Sequence, residues 1–224
     1  MSRKIKGAVF VSLDGVIQAP GGPAEDITGG FSEGGWVFKV GDEGLDETLG
    51  PLFSGDFSLL LGRRTYDIFA AYWRYVGDAD GGMGELFTRI DKFVLTRGDR
   101  PLEWENSHRL DGIDGFATLK ETDGPDLLIQ GSSTLYPALL ADGLIDELTV
   151  MTFPVVLGQG KRLFGDGTPA AMLEVTDHRV TDKGTVITTY RPNGPLPPYP
   201  EDAPGQSTSK REAERQRKMA EGSW

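Results

Sequence analysis

Short apolar runs recur along most of this chain, and several are separated by stretches with helical spacing. Ala8-Val9-Phe10-Val11-Ser12-Leu13 reads as a strand ended by Asp14-Gly15, and Phe57-Ser58-Leu59-Leu60-Leu61 as a second, stopped by Gly62. Lys92 to Thr96, Asp126 to Gln130, Ile145 to Phe153 and Thr185 to Tyr190 read as further strands. Between them, Leu45, Leu49 and Leu52 mark a helix over Asp42 to Phe53. Tyr66, Phe69, Ala70 and Trp73 form the stripe of a helix opened by Arg63, and Leu135, Leu139 and Leu140 that of one over Ser132 to Leu140. A continuous apolar run such as 57–61 suits a strand covered on both faces. The alternation predicts an α/β fold: a single three-layer domain with a mostly parallel central sheet and helices on both faces.

Two stretches break the pattern. Gln18 to Gly41 is glycine-rich without periodicity, and a loop that long inside a domain is usually functional or disordered; Phe31, Trp36 and Phe38 within it favour an ordered loop. Asp78 to Gly84 reads as a shorter loop. After Arg191 the composition changes: six prolines fall between Pro192 and Pro204, and Lys210 to Glu221 is a charged, helix-forming run with almost no apolar face. The expected organisation is one domain over 1–191 and a flexible or loosely docked tail over 192–224. Such a body buries about 70% of its unfolded surface and needs no covalent staple.

Bulk properties remove several functions. There is no cysteine, so neither disulfide nor thiolate chemistry is available. The two histidines, His108 and His178, lack partners at metal-ligand spacing, so no metal is expected. No apolar run approaches the ~20 residues of a membrane span, and a cytoplasmic protein without a membrane partner is expected. A formal net charge of −11 argues against nucleic acid. Any anionic ligand must be met by a local cluster of donors.

Three strand ends supply such clusters. Gly62-Arg63-Arg64-Thr65 follows the second run, Thr96-Arg97 the third, and Gly131-Ser132-Ser133-Thr134 the fourth. In open α/β sheets ligands sit beyond the carboxyl ends of the strands, where helix N-termini offer free N–H groups to phosphate. Glycine admits a close approach, hydroxyls add donors, and arginine forks match phosphate oxygens. The set suits a dinucleotide, although it follows neither the G-x-G-x-x-G fingerprint nor the Walker P-loop. Each cluster by itself also reads as a turn or a solvated helix start.

These residues carry a resemblance. Ser12-Leu13-Asp14-Gly15, Leu61-Gly62-Arg63-Arg64-Thr65-Tyr66 and Gln130-Gly131-Ser132-Ser133-Thr134-Leu135-Tyr136 follow in the order seen in dihydrofolate-reductase-like proteins. Leu139 to Leu148 and Pro154 to Phe164 resemble the C-terminal reductase domain of bacterial riboflavin-biosynthesis deaminase-reductases. The resemblance, over residues 4–191, implies NADPH as cofactor and hydride transfer to a ring carbon–nitrogen bond or a ribose carbonyl equivalent. It implies that Arg63 and Thr65 hold adenosine-side phosphates, that Thr96 and Arg97 meet the 2′-phosphate or ribose, and that Gly131 to Thr134 cradle the pyrophosphate. The family commonly has Gly-Gly, joined in dihydrofolate reductases by a cis peptide, where this chain has Gly131-Ser132.

On the substrate side the resemblance implies one carboxylate that assists protonation. Asp46 stands at a comparable place, beside Asp42, Glu43 and Glu47; a solvated helix face accounts for all four. Asp14 is a second candidate, or simply part of an Asp-Gly turn. Trp36 and Phe38 either close over a substrate or plug the core. The expected protein is an NADPH-dependent reductase of a small heterocyclic substrate. A riboflavin-pathway pyrimidine reductase and a nucleotide-binding protein without catalysis are the alternatives. The relatives often pair through a sheet or edge strand, so a homodimer is expected, with the apolar stretch from Ile145 to Phe164 as its contact.

Overall fold

The computed structural model describes residues 2–77, 81–201 and 209–223. In chain order the elements of the body are β1 (Ile5–Ser12), α1 (Trp36–Val40), α2 (Asp46–Ser54), β2 (Phe57–Gly62) and α3 (Arg63–Tyr72). There follow α4 (Met83–Arg89), β3 (Lys92–Leu95), β4 (Ser107–Leu110), α5 (Ile113–Lys120) and β5 (Asp126–Gln130). Then come α6 (Tyr136–Ala141), β6 (Glu147–Phe153), β7 (Ala171–Val180) and β8 (Val186–Pro195). The eight strands form one sheet in the order β4-β3-β2-β5-β1-β6-β8-β7. Every pairing from β4 to β6 is parallel, and β8 joins β6 antiparallel. The mostly parallel α/β sheet read from the sequence is the observed architecture.

Alternation along the strands splits the core between the two faces. Leu59, Leu61, Tyr66, Trp104 and Met151 pack on one, and Ile5, Leu60, Phe116, Ile129 and Leu139 on the other. Each such side chain contributes about 1.5–3 kcal/mol by leaving water. β2 is buried at all six positions, which is why it reads as an unbroken apolar run. Lys92 is a fully buried charged residue, 0% exposed. Its ammonium donates to the carbonyls of Phe87, Thr88 and Ile90 at 2.8–2.9 Å, completing the C-terminal end of α4. Burial draws its pKa down to about 8.

Several expectations shift. The helix expected from Ser132 begins only at Tyr136, because Gly131 and Ser132 both have positive φ, +65° and +57°, which a right-handed helix excludes. The helix expected over 42–53 is a 3-10 turn at Glu43–Leu45 followed by α2. Three residues of the expected 78–84 loop, 78–80, lie outside the described residues, and its end already belongs to α4. β4, α5 and β7 carry no apolar run of their own and were not anticipated; β7 is exposed along most of its length. Within the 145–164 stretch expected to pair two copies, β6 has β1 on one side and β8 on the other.

The long glycine loop is ordered around Phe31 and Trp36, which are 4% and 1% exposed. The Trp36 indole N–H donates to the Gln18 carbonyl at 2.9 Å, and its ring meets Phe153 edge-on. Trp36 is therefore a core plug and not a substrate contact, whereas Phe38 is 76% exposed. No described helix is long and apolar enough to cross a membrane. Residues 195–224 form a separate compact unit. Within it, α7 (Lys210–Ala220) is capped by the Ser209 hydroxyl and laced by Arg215–Glu212 and Arg217–Glu214 pairs.

Candidate functional site

The sequence-distant turns after β2 and β5 face each other. Leu60 is in register with Ile129, so the two strands deliver Gly62 and Gly131 side by side at their carboxyl ends. The Gly62 N–H donates to the Ser132 hydroxyl oxygen at 2.9 Å. A Cβ built on Gly62 would stand 3.6 Å from Ser132 Oγ and 3.8 Å from Thr134 Oγ1; one on Gly131 would stand 3.4 Å from Thr65 Cγ2. Ser132 holds a left-handed backbone, a strain of about 1–2 kcal/mol for a residue with a Cβ. No peptide bond among the described residues is cis.

The donors gathered there are unspent. Among the described residues the hydroxyls of Thr65, Ser132, Ser133 and Thr134 give their protons to no acceptor, nor do the backbone N–H groups of Ser132, Ser133 and Thr134. The first turn of α3 adds N–H groups that have no intrahelical partner. Such a set of donors, beside glycines at 62 and 131, suits an oxyanion with several oxygens.

The arginines divide into two kinds. Arg63 donates from Nε to Asp67 at 2.8 Å and from its Nη atoms to the carbonyls of Arg100 and Pro101 at 2.8 and 3.3 Å. Arg109 donates to the carbonyls of Gly98 and Arg100, and Arg100 pairs with Asp67 at 2.7 Å. The fork expected to grip a phosphate instead shapes the loop after β3. Arg64 and Arg97 are exposed and their side chains make no hydrogen bond or ion pair among the described residues, so theirs are the uncommitted guanidiniums of the expected set. Thr96 is 6% exposed and extends β3 by donating its N–H to Leu110 O at 3.2 Å.

The two candidate carboxylates also part. Asp14 accepts from the Ser12 hydroxyl at 2.7 Å and from the backbone N–H groups of Leu157 and Gly158 at 3.0 and 2.8 Å. These bonds, the Ser12 hydroxyl foremost, hold its pKa down to about 2. An acceptor-only carboxylate so held has no proton to give near neutrality; Asp14 is a latch between the end of β1 and the 155–163 segment. Asp46 opens α2 and is exposed, and its carboxylate has no hydrogen-bonding partner among the described residues. Its helix is anchored by Arg179, which donates to Gly44 O at 2.7 Å and Thr48 Oγ1 at 3.1 Å.

One residue was missed. Gln130, the last of β5 and the one before the cradle, keeps its side-chain nitrogen buried without a partner; a polar end to the run Leu127-Leu128-Ile129 was the available signal. A groove of about 320 Å3 lies at the opposite strand ends, between Leu52 of α2 and Lys6, Thr149 and Thr189 of the sheet. Among the described residues no cluster of three or more His, Asp or Glu side chains stands ready for a metal ion.

A mostly parallel sheet with β8 added antiparallel, carrying facing glycine turns at the ends of β2 and β5, defines an open α/β fold. Residues 3–187 match the RibD C-terminal domain, and the chain belongs to that family. It is 27% identical over 195 residues to the YyaP protein of Bacillus subtilis (strain 168), a match covering 86% of this chain and 96% of that one. Its fold is similar to that of a putative riboflavin biosynthesis protein from Shewanella sp. PV-4, with a TM-score of 0.62 at 22% identity over 86% of this chain and 99% of that one. It is also similar to the diaminohydroxyphosphoribosylaminopyrimidine deaminase/5-amino-6-(5-phosphoribosylamino)uracil reductase from Thermotoga maritima. There the TM-score is 0.55 at 14% identity, over 86% of this chain and 57% of that one.

Proposed function

We propose that this chain is an NADPH-dependent reductase acting on a small heterocycle. The carrying observation is the convergence of the Thr65, Ser132 and Thr134 hydroxyls, their protons given to no acceptor among the described residues, on the facing turns at Gly62 and Gly131. Those residues fit a dinucleotide: Thr65 and Ser132 to Thr134 would hold the pyrophosphate, and Arg64 and Arg97 would meet the 2′-phosphate. Gly131 takes the positive φ of this turn without strain. The bound cofactor supplies the hydride. The protein's own work is to orient it along the strand ends and to present a proton source, for which Asp46 is the carboxylate without a prior engagement. Membership of the RibD C-terminal family supports a uracil-type ring, as in the pyrimidine reductases, as the substrate class.

The test is titration of the purified protein into NADPH, followed by fluorescence, and then a search for ring compounds that oxidise the bound cofactor. Quenching at micromolar protein with turnover on a pyrimidine supports the reading. NADPH fluorescence unchanged at any protein concentration removes it, and binding without turnover on any ring leaves a nucleotide-binding protein.

A further inference from the structure

We infer that Ser132 is a positioning residue that fixes the pyrophosphate cradle before any ligand arrives, an inference resting on the cofactor reading above. Leu59 N–H bonds to Asp91 O on the β3 side, so by alternation the N–H of Gly62 points toward β5. The paired register stops at Leu60 with Ile129, because positive φ at Gly131 and Ser132 turns the chain away from the ladder. Gly62 would be left without an acceptor. The Ser132 hydroxyl takes that place at 2.9 Å, a side chain standing in for the missing rung.

Gly62 is also the residue before α3, and the start of that helix has no side-chain cap. The Ser132 bond therefore sets how the first turn of α3, with Thr65, stands against Ser133 and Thr134. A glycine at 132 would adopt the same backbone at no strain but would leave the two turns free to shift. Here the strained serine gives up backbone ease for a fixed spacing, and its own proton stays available to a ligand oxygen. The ligand class this serves is a diphosphate bridge, which must touch both turns at once, and not an isolated monophosphate, which needs only one.

Three proteins and two probes test this: the parent, Ser132→Ala and Ser132→Gly, each titrated with NADPH and with adenosine 2′,5′-bisphosphate, which lacks the pyrophosphate. Expected are about tenfold weaker NADPH binding in both variants, unchanged binding of the bisphosphate, and faster exchange of the Gly62 amide. Ser132→Gly should melt at or above Ser132→Ala, since it relieves the strained backbone, yet bind NADPH no better. Parental NADPH affinity in Ser132→Ala overturns the inference, as does an equal loss for both probes, which would mark a general structural role. A parent that binds neither probe overturns the cofactor reading, and the positioning role goes with it; Gly62 exchange in the ligand-free proteins still reports separately whether the bond exists.

Discussion

Gly131 and Thr65 meet across two strand ends, close enough that a Cβ on Gly131 would stand 3.4 Å from Thr65 Cγ2. That is ordinary contact distance, so the cost of a side chain there comes from the positive φ of +65° at Gly131. Gly131→Ala is expected to cost about 1–2 kcal/mol of stability. Gly131→Val should in addition abolish NADPH binding in whatever protein folds. Calorimetry on the folded fraction decides it: near-parental affinity in a folded valine variant would remove the pyrophosphate from this turn.

The arginines should separate by function. Arg97→Ala, or Arg64→Ala, is expected to weaken NADPH binding by ~1.5–3 kcal/mol while leaving NADH nearly unchanged, the loss of one charged hydrogen bond. Arg63→Ala should instead lower the melting temperature, because three carbonyl and carboxylate contacts are lost together. Paired titrations with NADPH and NADH beside melting curves test both; an NADPH-specific loss in Arg63→Ala with no thermal effect would reverse the assignment.

The Asp14 latch predicts an acid limb. Its folded pKa, about 2, lies below the ordinary 3.8. The stability it supplies is therefore complete above about pH 4 and disappears as the pH falls through 2. Asp14→Asn keeps one acceptor and no charge. The variant should melt lower than the parent at pH 6, with the difference narrowing steadily from pH 4 to pH 2; a constant difference across that window would refute the latch.

Tyr136 offers a test of opposite sign. Its hydroxyl is fully buried without a partner, and a Cβ on Gly7 would stand only 2.9 Å from it. Tyr136→Phe deletes an unsatisfied group and is expected to be neutral or stabilising by about 1 kcal/mol. Chemical denaturation measures this. A loss above ~1 kcal/mol would show that the hydroxyl has a partner after all.

Deleting 195–224 should leave the melting temperature and cofactor affinity of the rest unchanged, since those residues form a unit of their own. A truncated protein that is insoluble would show otherwise.

Legibility followed burial. β2 is covered on both faces, so its apolar run announced both the strand and the glycine ending it. β4, with the sequence Ser107-His108-Arg109-Leu110, earns its place through main-chain pairing with β3, which leaves no mark in side-chain pattern. Arg63 read as a phosphate fork because the carbonyls that take up its guanidinium come from 100 and 101, and only the fold brings them near. Trp36 read equally as lid or plug because an aromatic in a glycine loop looks the same in either role; the Gln18 carbonyl decides between them.

The position of β1 has a consequence for how the protein comes to be. β1 lies between β5 and β6, whose residues follow it by more than a hundred positions. The middle of the sheet must therefore wait for most of the chain, with the loop-closure entropy of distant pairings unpaid until then. Refolding from denaturant should be slow, on the order of milliseconds to seconds, as in proteins dominated by non-local pairing. A nascent chain released before β5 emerges would hold Gly62 and Arg64 but have no opposite turn, so nucleotide affinity can arise only late in synthesis.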